Sequence, residues 1–220
     1  MKAGRLVLAV LFGLFCTKLV AQETPRVEVE GGYSLAHFNP AQKYVNNPHT
    51  LNGGGGGFTY NLNRWLGLKA QMNQYGATAW TLNFSQPVPT PYSTTLPAGT
   101  YKASGGMFDY LFGPQFKYHG HRIQPFAQTL FGGASSNLWS NLLKTSGISN
   151  VTSKRVSGFV MSVGGGVDVN ANKHIAIRLG EFDYLMTRLN PPLLAGIGGL
   201  NNQNNFTFST GVVFNLGTLK

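Results

Sequence analysis

The chain has 220 residues, with 17 Lys+Arg against 7 Asp+Glu, one Cys and only 11% charged residues. An ordinary soluble domain carries about 25% charged residues to hydrate its surface, so this composition argues against a conventional cytosolic globule. It argues equally against a disordered chain, because 42% of the residues are hydrophobic and 12% aromatic.

Residues 1–21 read as a secretory signal. Lys2 and Arg5 form a basic start, an apolar run covers 6–15, and the small residue Ala21 precedes Gln22. The run is too short to span a membrane as a helix. Bulky Phe15 before Cys16 speaks against a lipoprotein signal. Removing the segment would take away the one Cys, and with it any disulfide, Cys-based metal site or thiol nucleophile. The remainder, 22–220, is expected to be a single domain. Its excess bases are scattered rather than striped, so no nucleic-acid partner is expected.

Downstream, strict alternation predicts eight strands: 26–38, 54–62, 65–76, 103–118, 121–135, 156–170, 173–187 and 204–216. In the third, Leu66, Leu68, Ala70 and Met72 oppose Lys69, Gln71 and Asn73. In the fourth, Phe108, Tyr110, Phe112, Phe116 and Tyr118 oppose Met107, Asp109, Leu111, Gly113, Gln115 and Lys117. In the last, Phe206, Phe208, Thr210, Val212, Phe214 and Leu216 oppose Asn205, Thr207, Ser209, Gly211, Val213 and Asn215. Short connections at 62–64, 118–121 and 170–173 alternate with long polar ones at 39–53, 77–102, 136–155 and 188–203.

An even strand count with alternating short and long connections is the pattern of a transmembrane barrel, with short periplasmic turns and long outer loops. A soluble lipocalin-like barrel is the competing architecture. It would turn charged residues outward, whereas these strands set an aromatic row against a small or uncharged-polar one. The membrane reading is therefore preferred. The predicted fold is all-β, a closed up-and-down antiparallel eight-stranded transmembrane barrel.

Six of the seven acids, Glu28, Glu30, Asp109, Asp168, Glu181 and Asp183, fall within predicted strands. Near the bilayer midplane a lipid-facing charge costs about 2–4 kcal/mol, so these groups are expected to face the lumen. The inward bases are Lys69, Lys117 and Arg178. Counted from the turns, Glu28, Glu30, Lys69, Asp168 and Arg178 share a height, which predicts an ion-pair network in the turn-side half of the barrel, centred on Arg178. Glu181 and Asp183 have the opposite parity to Arg178. A bulge at Gly180 would bring all three inward and set Phe182 and Tyr184 outside; without it, Glu181 and Asp183 lie outside near the loop-side interface. The bulge is the preferred reading.

The chemistry-bearing candidates have plain alternatives. Gly53–Gly57 lacks the Lys-Ser/Thr of a phosphate loop and reads as a flexible loop entering a strand. Gly164–Gly166 sits inside a strand, where it would make room in a narrow lumen. His119, His121 and His174 lie near one rim, but turn composition accounts for them and no metal site is expected. Ser34 and His37 could suggest a lipid hydrolase, but no third group is evident; no catalytic residue, enzyme activity or cofactor is expected.

The segments YNLNRWLGLKAQ, GPQFKYHGHRIQPFAQTLFGGA, FVMSVGGGVDVNANKHIAIRLGEFDYLMTR and NNFTFSTGVVFNLG together resemble the outer-membrane β-barrel family related to OmpA and OmpX. The likeness runs over residues 26–216. It implies an eight-stranded barrel in a Gram-negative outer membrane, inserted by the barrel-assembly machinery. Only residues 217–220 follow the last strand, so the peptidoglycan-binding domain of full-length OmpA-type proteins is expected to be absent. The terminal aromatic of the usual assembly signal is displaced to Phe214. The expected partners are outer-membrane lipid, the assembly machinery and an extracellular ligand of unidentified kind, and the chain is expected to be monomeric. A structural or surface-interaction role through the long loops is the preferred function, with a narrow solute channel as the alternative and a lipid-modifying enzyme behind it.

Overall fold

The computed structural model describes residues 23–39, 49–89, 95–137, 141, 155–189 and 202–219. The expected signal segment lies outside the described residues. The strands are β1 (Val27–Phe38), β2 (His49–Asn61), β3 (Leu66–Phe84), β4 (Val88–Pro89), β5 (Thr95–Leu96), β6 (Gly99–Lys117), β7 (Ile123–Ser136), β8 (Val156–Asn170), β9 (Ile175–Arg188) and β10 (Gln203–Leu216). Eight of them pair antiparallel in the order β1-β2-β3-β6-β7-β8-β9-β10, and β10 returns to β1 from Val27↔Leu216 to His37↔Phe206. The barrel is closed, so every strand spends its backbone groups on two neighbours, as a nonpolar surround requires.

Two of the three tight turns are built by asparagine. Asn63 Oδ1 accepts from the Trp65 and Leu66 amides at 2.8 and 2.9 Å, and Asn172 Oδ1 accepts from those of His174 and Ile175 at 2.8 and 3.0 Å. Each side chain thus replaces a backbone acceptor and fixes the register of the strands it joins.

The outward face carries Phe58, Met72, Tyr110, Phe112, Phe116, Phe131, Phe182, Phe206 and Phe214, all exposed. No described helix is long and apolar enough to cross a membrane; the strands present the apolar surface instead. The inward face is divided. Toward the turn end it is ionic, whereas toward the loop end Phe38, Leu51, Tyr75, Met107, Leu111, Leu130, Val160 and Leu185 fill the lumen together with the buried polar residues Asp109, Ser136, Thr187, Gln203 and Asn205. The small or polar lining expected from the sequence is thus present along the barrel, with bulky apolar side chains added to it at the loop end. Eight strands enclose a space that side chains fill, and here two layers of different chemistry fill it.

Two connections are shorter than the sequence suggested. Residues 49–53 belong to β2, and 77–84 and 99–102 prolong β3 and β6. Pairing of β2 with β3 ends at Gly76, and pairing of β6 with β7 ends at Met107. Beyond these points the two strands continue to pair with each other as far as Phe84↔Gly99. At about 3.3 Å per residue this hairpin projects some 25 Å past the barrel pairing. Thr100 donates to Asn83, Tyr101 donates to the Pro97 carbonyl, and the Tyr101 ring packs edge-on against Phe84.

Gly53–Gly57, expected as a flexible loop, is instead paired strand, flanked by β1 on one side and β3 on the other. Its residues carry no side chains, so they show no alternation, but close approach explains them. A Cβ on Gly53 would lie 2.1 Å from the Gln74 carbonyl oxygen, and one on Gly32 2.1 Å from that of Thr210. The inward face of so narrow a barrel leaves no room at these positions. Gly53→Val should lower the urea midpoint by the equivalent of about 1–3 kcal/mol through overpacking. Gly76→Ala, whose Cβ would meet nothing within 4 Å, should leave it unchanged. Equal effects of the two substitutions would contradict the close-approach account.

Candidate functional site

The residues with the most chemistry converge in the turn-side half of the lumen. Arg178 on β9 donates to Asp168 on β8 through Nε at 2.8 Å and Nη2 at 3.1 Å, a two-point grip that fixes the guanidinium plane. Its Nη1 reaches Glu30 on β1 at 2.7 Å and Glu181 at 2.5 Å. The same guanidinium lies over the Phe126 ring, 4.4 Å from its centroid. Lys69 on β3 reaches Glu30 at 2.6 Å and Glu181 at 3.5 Å, and donates to Gln128 at 3.0 Å. Lys117 on β6 pairs with Glu28, and with Asp168 at 2.8 Å. The His119 ring bridges Glu28 Oε1 and the Arg64 carbonyl, 3.0 Å from each, and Asn61 donates to the same Glu28 oxygen at 2.9 Å.

Of the residues singled out from the sequence, Glu28, Glu30, Lys69, Asp168, Arg178 and Glu181 all make direct ion pairs in this layer. Asp183 makes no salt bridge among the described residues; it hydrogen-bonds the Glu181 side chain directly, and Gln128 Nε2 donates to Asp183 at 3.1 Å and to Glu181 at 2.9 Å. Asp109 stands apart and accepts from Asn73 at 2.9 Å. Sequence reasoning placed Lys117 inward but outside the network, and it did not identify Gln128, Asn61, His119 or Phe126 as members. Gln128 and Asn61 carry no charge to draw attention. Phe126 could have been found from its parity, since it shares a face with Gln124 and Gln128.

A bulge makes the arrangement possible. Asp168 pairs with Arg178 but Val167 pairs with Gly180, which leaves Leu179 as the extra residue of β9. The shift recurs against β10, where Ser209 meets Glu181 and Gly211 meets Arg178. Arg178, Glu181 and Asp183 are consequently all buried, while Leu179 and Phe182 face outward at 60% and 68% exposure. Thr210 donates to the Arg178 carbonyl at 2.8 Å beside the irregularity.

The structure does not bring together the residues named for the catalytic and metal alternatives. Ser34 is inward and bonded to Ser209 at 2.8 Å, while His37 is exposed on the opposite face of β1. His119 turns into the lumen toward Glu28, while His121 and His174 are exposed in their turns. Among the described residues no group of three His, Cys, Asp or Glu side chains could hold a metal ion.

A closed eight-stranded barrel with an apolar exterior and an ionic interior defines an integral outer-membrane protein of the small-barrel class. The chain belongs to the outer membrane protein beta-barrel domain family, whose model matches residues 6–214. Among solved structures it is similar to the outer membrane protein OprG from Pseudomonas aeruginosa, at 13% identity over 90% of this chain and 98% of that one, with a TM-score of 0.52. It is also similar to Neisserial surface protein A, at 11% identity over 86% of this chain and 96% of that one, TM-score 0.50. Ail, the attachment invasion locus protein of Yersinia pestis, matches at 13% identity over 87% of this chain and 98% of that one, TM-score 0.47. At these identities the likeness concerns the fold alone. No curated protein matches the chain.

Proposed function

We propose that this barrel is a surface-interaction protein whose turn end lies in the periplasm and whose loop end binds a partner outside the cell. The observation that carries this reading is the double filling of the lumen. Arg178, Lys69 and Lys117 knit strands from around the barrel into one ionic layer, and Phe38, Leu51, Tyr75, Met107, Leu130 and Val160 occupy the lumen on the loop side of it. A solute would have to displace both layers. The projecting β3–β6 hairpin, part of the 77–102 connection, offers a preformed contact surface at the end of the barrel from which the 136–155 and 188–203 connections also leave. A preformed hairpin binds at a lower ordering cost than a disordered loop. A narrow channel is the second reading, favoured by the polar side chains linked from His119 through Glu28, Lys117, Asp168 and Arg178 to Glu181.

Planar-bilayer recording separates the two. The wild-type barrel is expected to give no stable openings. Stable wild-type openings whose conductance changes in Arg178→Ala would establish the channel instead. In parallel, cells expressing the barrel should adhere to immobilised glycans or cultured cell layers. Replacing 85–98 with a two-residue turn should lower that adherence while the barrel still folds. Unchanged adherence would remove the hairpin from the contact surface.

A further inference from the structure

The turn end of the barrel has a chemistry that neither the lumen nor the loops explain. Its exposed fixed charges are Arg26, Arg64, Arg122 and Lys173, and among the described residues none of them forms an ion pair. The one exposed acid described at this end is Glu23, because Glu28 is turned inward onto Lys117 and His119. Aromatic rings mark the same height on the outer wall: Trp65 and Tyr118 pack with centroids 5.5 Å apart. Trp and Tyr concentrate where acyl chains give way to headgroups, so the bases sit at headgroup level.

Two of these bases are brought together by design of the backbone. The Asn170 amide donates to the Arg122 carbonyl at 2.9 Å, and its side chain donates to the His121 carbonyl at 3.1 Å. This locks the 118–122 turn against the 171–174 turn. A concavity opens between them, lined by His121, Arg122, Asn170, Asn172 and Lys173. Arg26 is held in a second position, donating to the Tyr60 hydroxyl through Nε at 3.0 Å and Nη2 at 2.8 Å, beside a concavity reaching Asn61 and Leu219.

We infer that the turn end is a docking surface for the phosphate headgroups of anionic glycerophospholipids, centred on the concavity between Arg122 and Lys173. Unpaired bases at headgroup height attract anionic lipid, and a guanidinium with an ammonium beside it suits a phosphodiester, with the Asn172 side-chain amide on the same concavity. The inference goes beyond the surface-interaction reading and does not depend on it, since it concerns the opposite end of the barrel and can be read without any outer ligand.

The test titrates the folded barrel in detergent with phosphatidylglycerol and, separately, with phosphatidylcholine, and counts bound lipid by native mass spectrometry. Phosphatidylglycerol is expected to bind more tightly, and the Arg122→Gln/Lys173→Gln pair should weaken it roughly tenfold or more. The loop-end pair Arg155→Gln/Arg188→Gln should change it less than about twofold, since the two ends of the barrel lie several Debye lengths of about 10 Å apart at 0.1 M salt. Equal affinity for the two lipids, an unaffected Arg122/Lys173 variant, or an equal loss in the loop-end variant would each overturn the inference. If the turn variant does not fold, the wild type still decides. Phosphatidylglycerol binding must weaken as sodium chloride is raised, and salt-insensitive binding overturns the proposal.

Discussion

Arg178→Leu is expected to lower the unfolding free energy of the barrel by about 3–5 kcal/mol, the cost of removing one partner from a buried ionic cluster. The large value follows from geometry. A single guanidinium serves Asp168, Glu30 and Glu181, and all three carboxylates are within 3.1 Å of it. Without it Lys69 still reaches Glu30 and Glu181, and Lys117 still reaches Asp168, but each ammonium is a point donor with other partners to satisfy. Arg178→Lys should recover part of the loss, since it restores charge but not the two-point grip or the stacking over Phe126. The midpoint of urea unfolding, followed by the heat-dependent gel mobility of the folded barrel, measures both. A loss below about 1 kcal/mol for Arg178→Leu would mean that the cluster is solvated rather than buried.

Phe112→Arg should be almost as damaging for the opposite reason. Phe112 points outward from β6 at 57% exposure, in a row with Tyr110 and Phe116. A cation there faces acyl chains and costs about 2–4 kcal/mol near the midplane, less toward either interface. Phe112→Leu, which keeps an apolar surface, should cost less than about 1.5 kcal/mol. Equilibrium folding into phospholipid vesicles reads the difference between the two. A soluble barrel of the same topology would tolerate the arginine.

Much of the barrel is readable from residue parity. In β10 the alternation from Asn205 to Leu216 assigns both faces without further information, and β6 does the same from Met107 to Lys117. Lipid on one side and packing on the other leave no freedom to exchange them. The Gly180 irregularity is legible too, because Arg178 and Glu181 cannot otherwise share a face. Parity does not give height or chemistry, and the remaining differences arise there. Tyr75, Met107 and Leu111 have the same inward parity as Lys69 and Asp109, and nothing in alternation shows that they add apolar bulk on the loop side of the ionic layer. Lys117 is inward by parity, but its partners Glu28 and Asp168 come from strands that only barrel closure brings near it. The extensions of β3 and β6 leave the barrel, yet Trp80, Leu82 and Phe84 still alternate with Thr81 and Asn83; assigning 77–102 to a loop passed over that signal. Gly53–Gly57 has no side chains to alternate, and its strand is set by the neighbours on both sides.

The central claim is that the lumen is a packed, lipid-free and water-poor interior bounded by a lipid-facing wall. Tryptophan fluorescence tests it directly. With Trp65, Trp80 and Trp139 replaced by phenylalanine, Phe112→Trp and Phe126→Trp would each report one side of the wall. In vesicles containing bromine-labelled acyl chains, Phe112→Trp should be strongly quenched and Phe126→Trp spared, and acrylamide from the aqueous phase should reach neither. Quenching of Phe126→Trp by acrylamide would show an open, water-filled passage. Quenching of it by the labelled lipid would show that the two faces of the wall have been assigned the wrong way round.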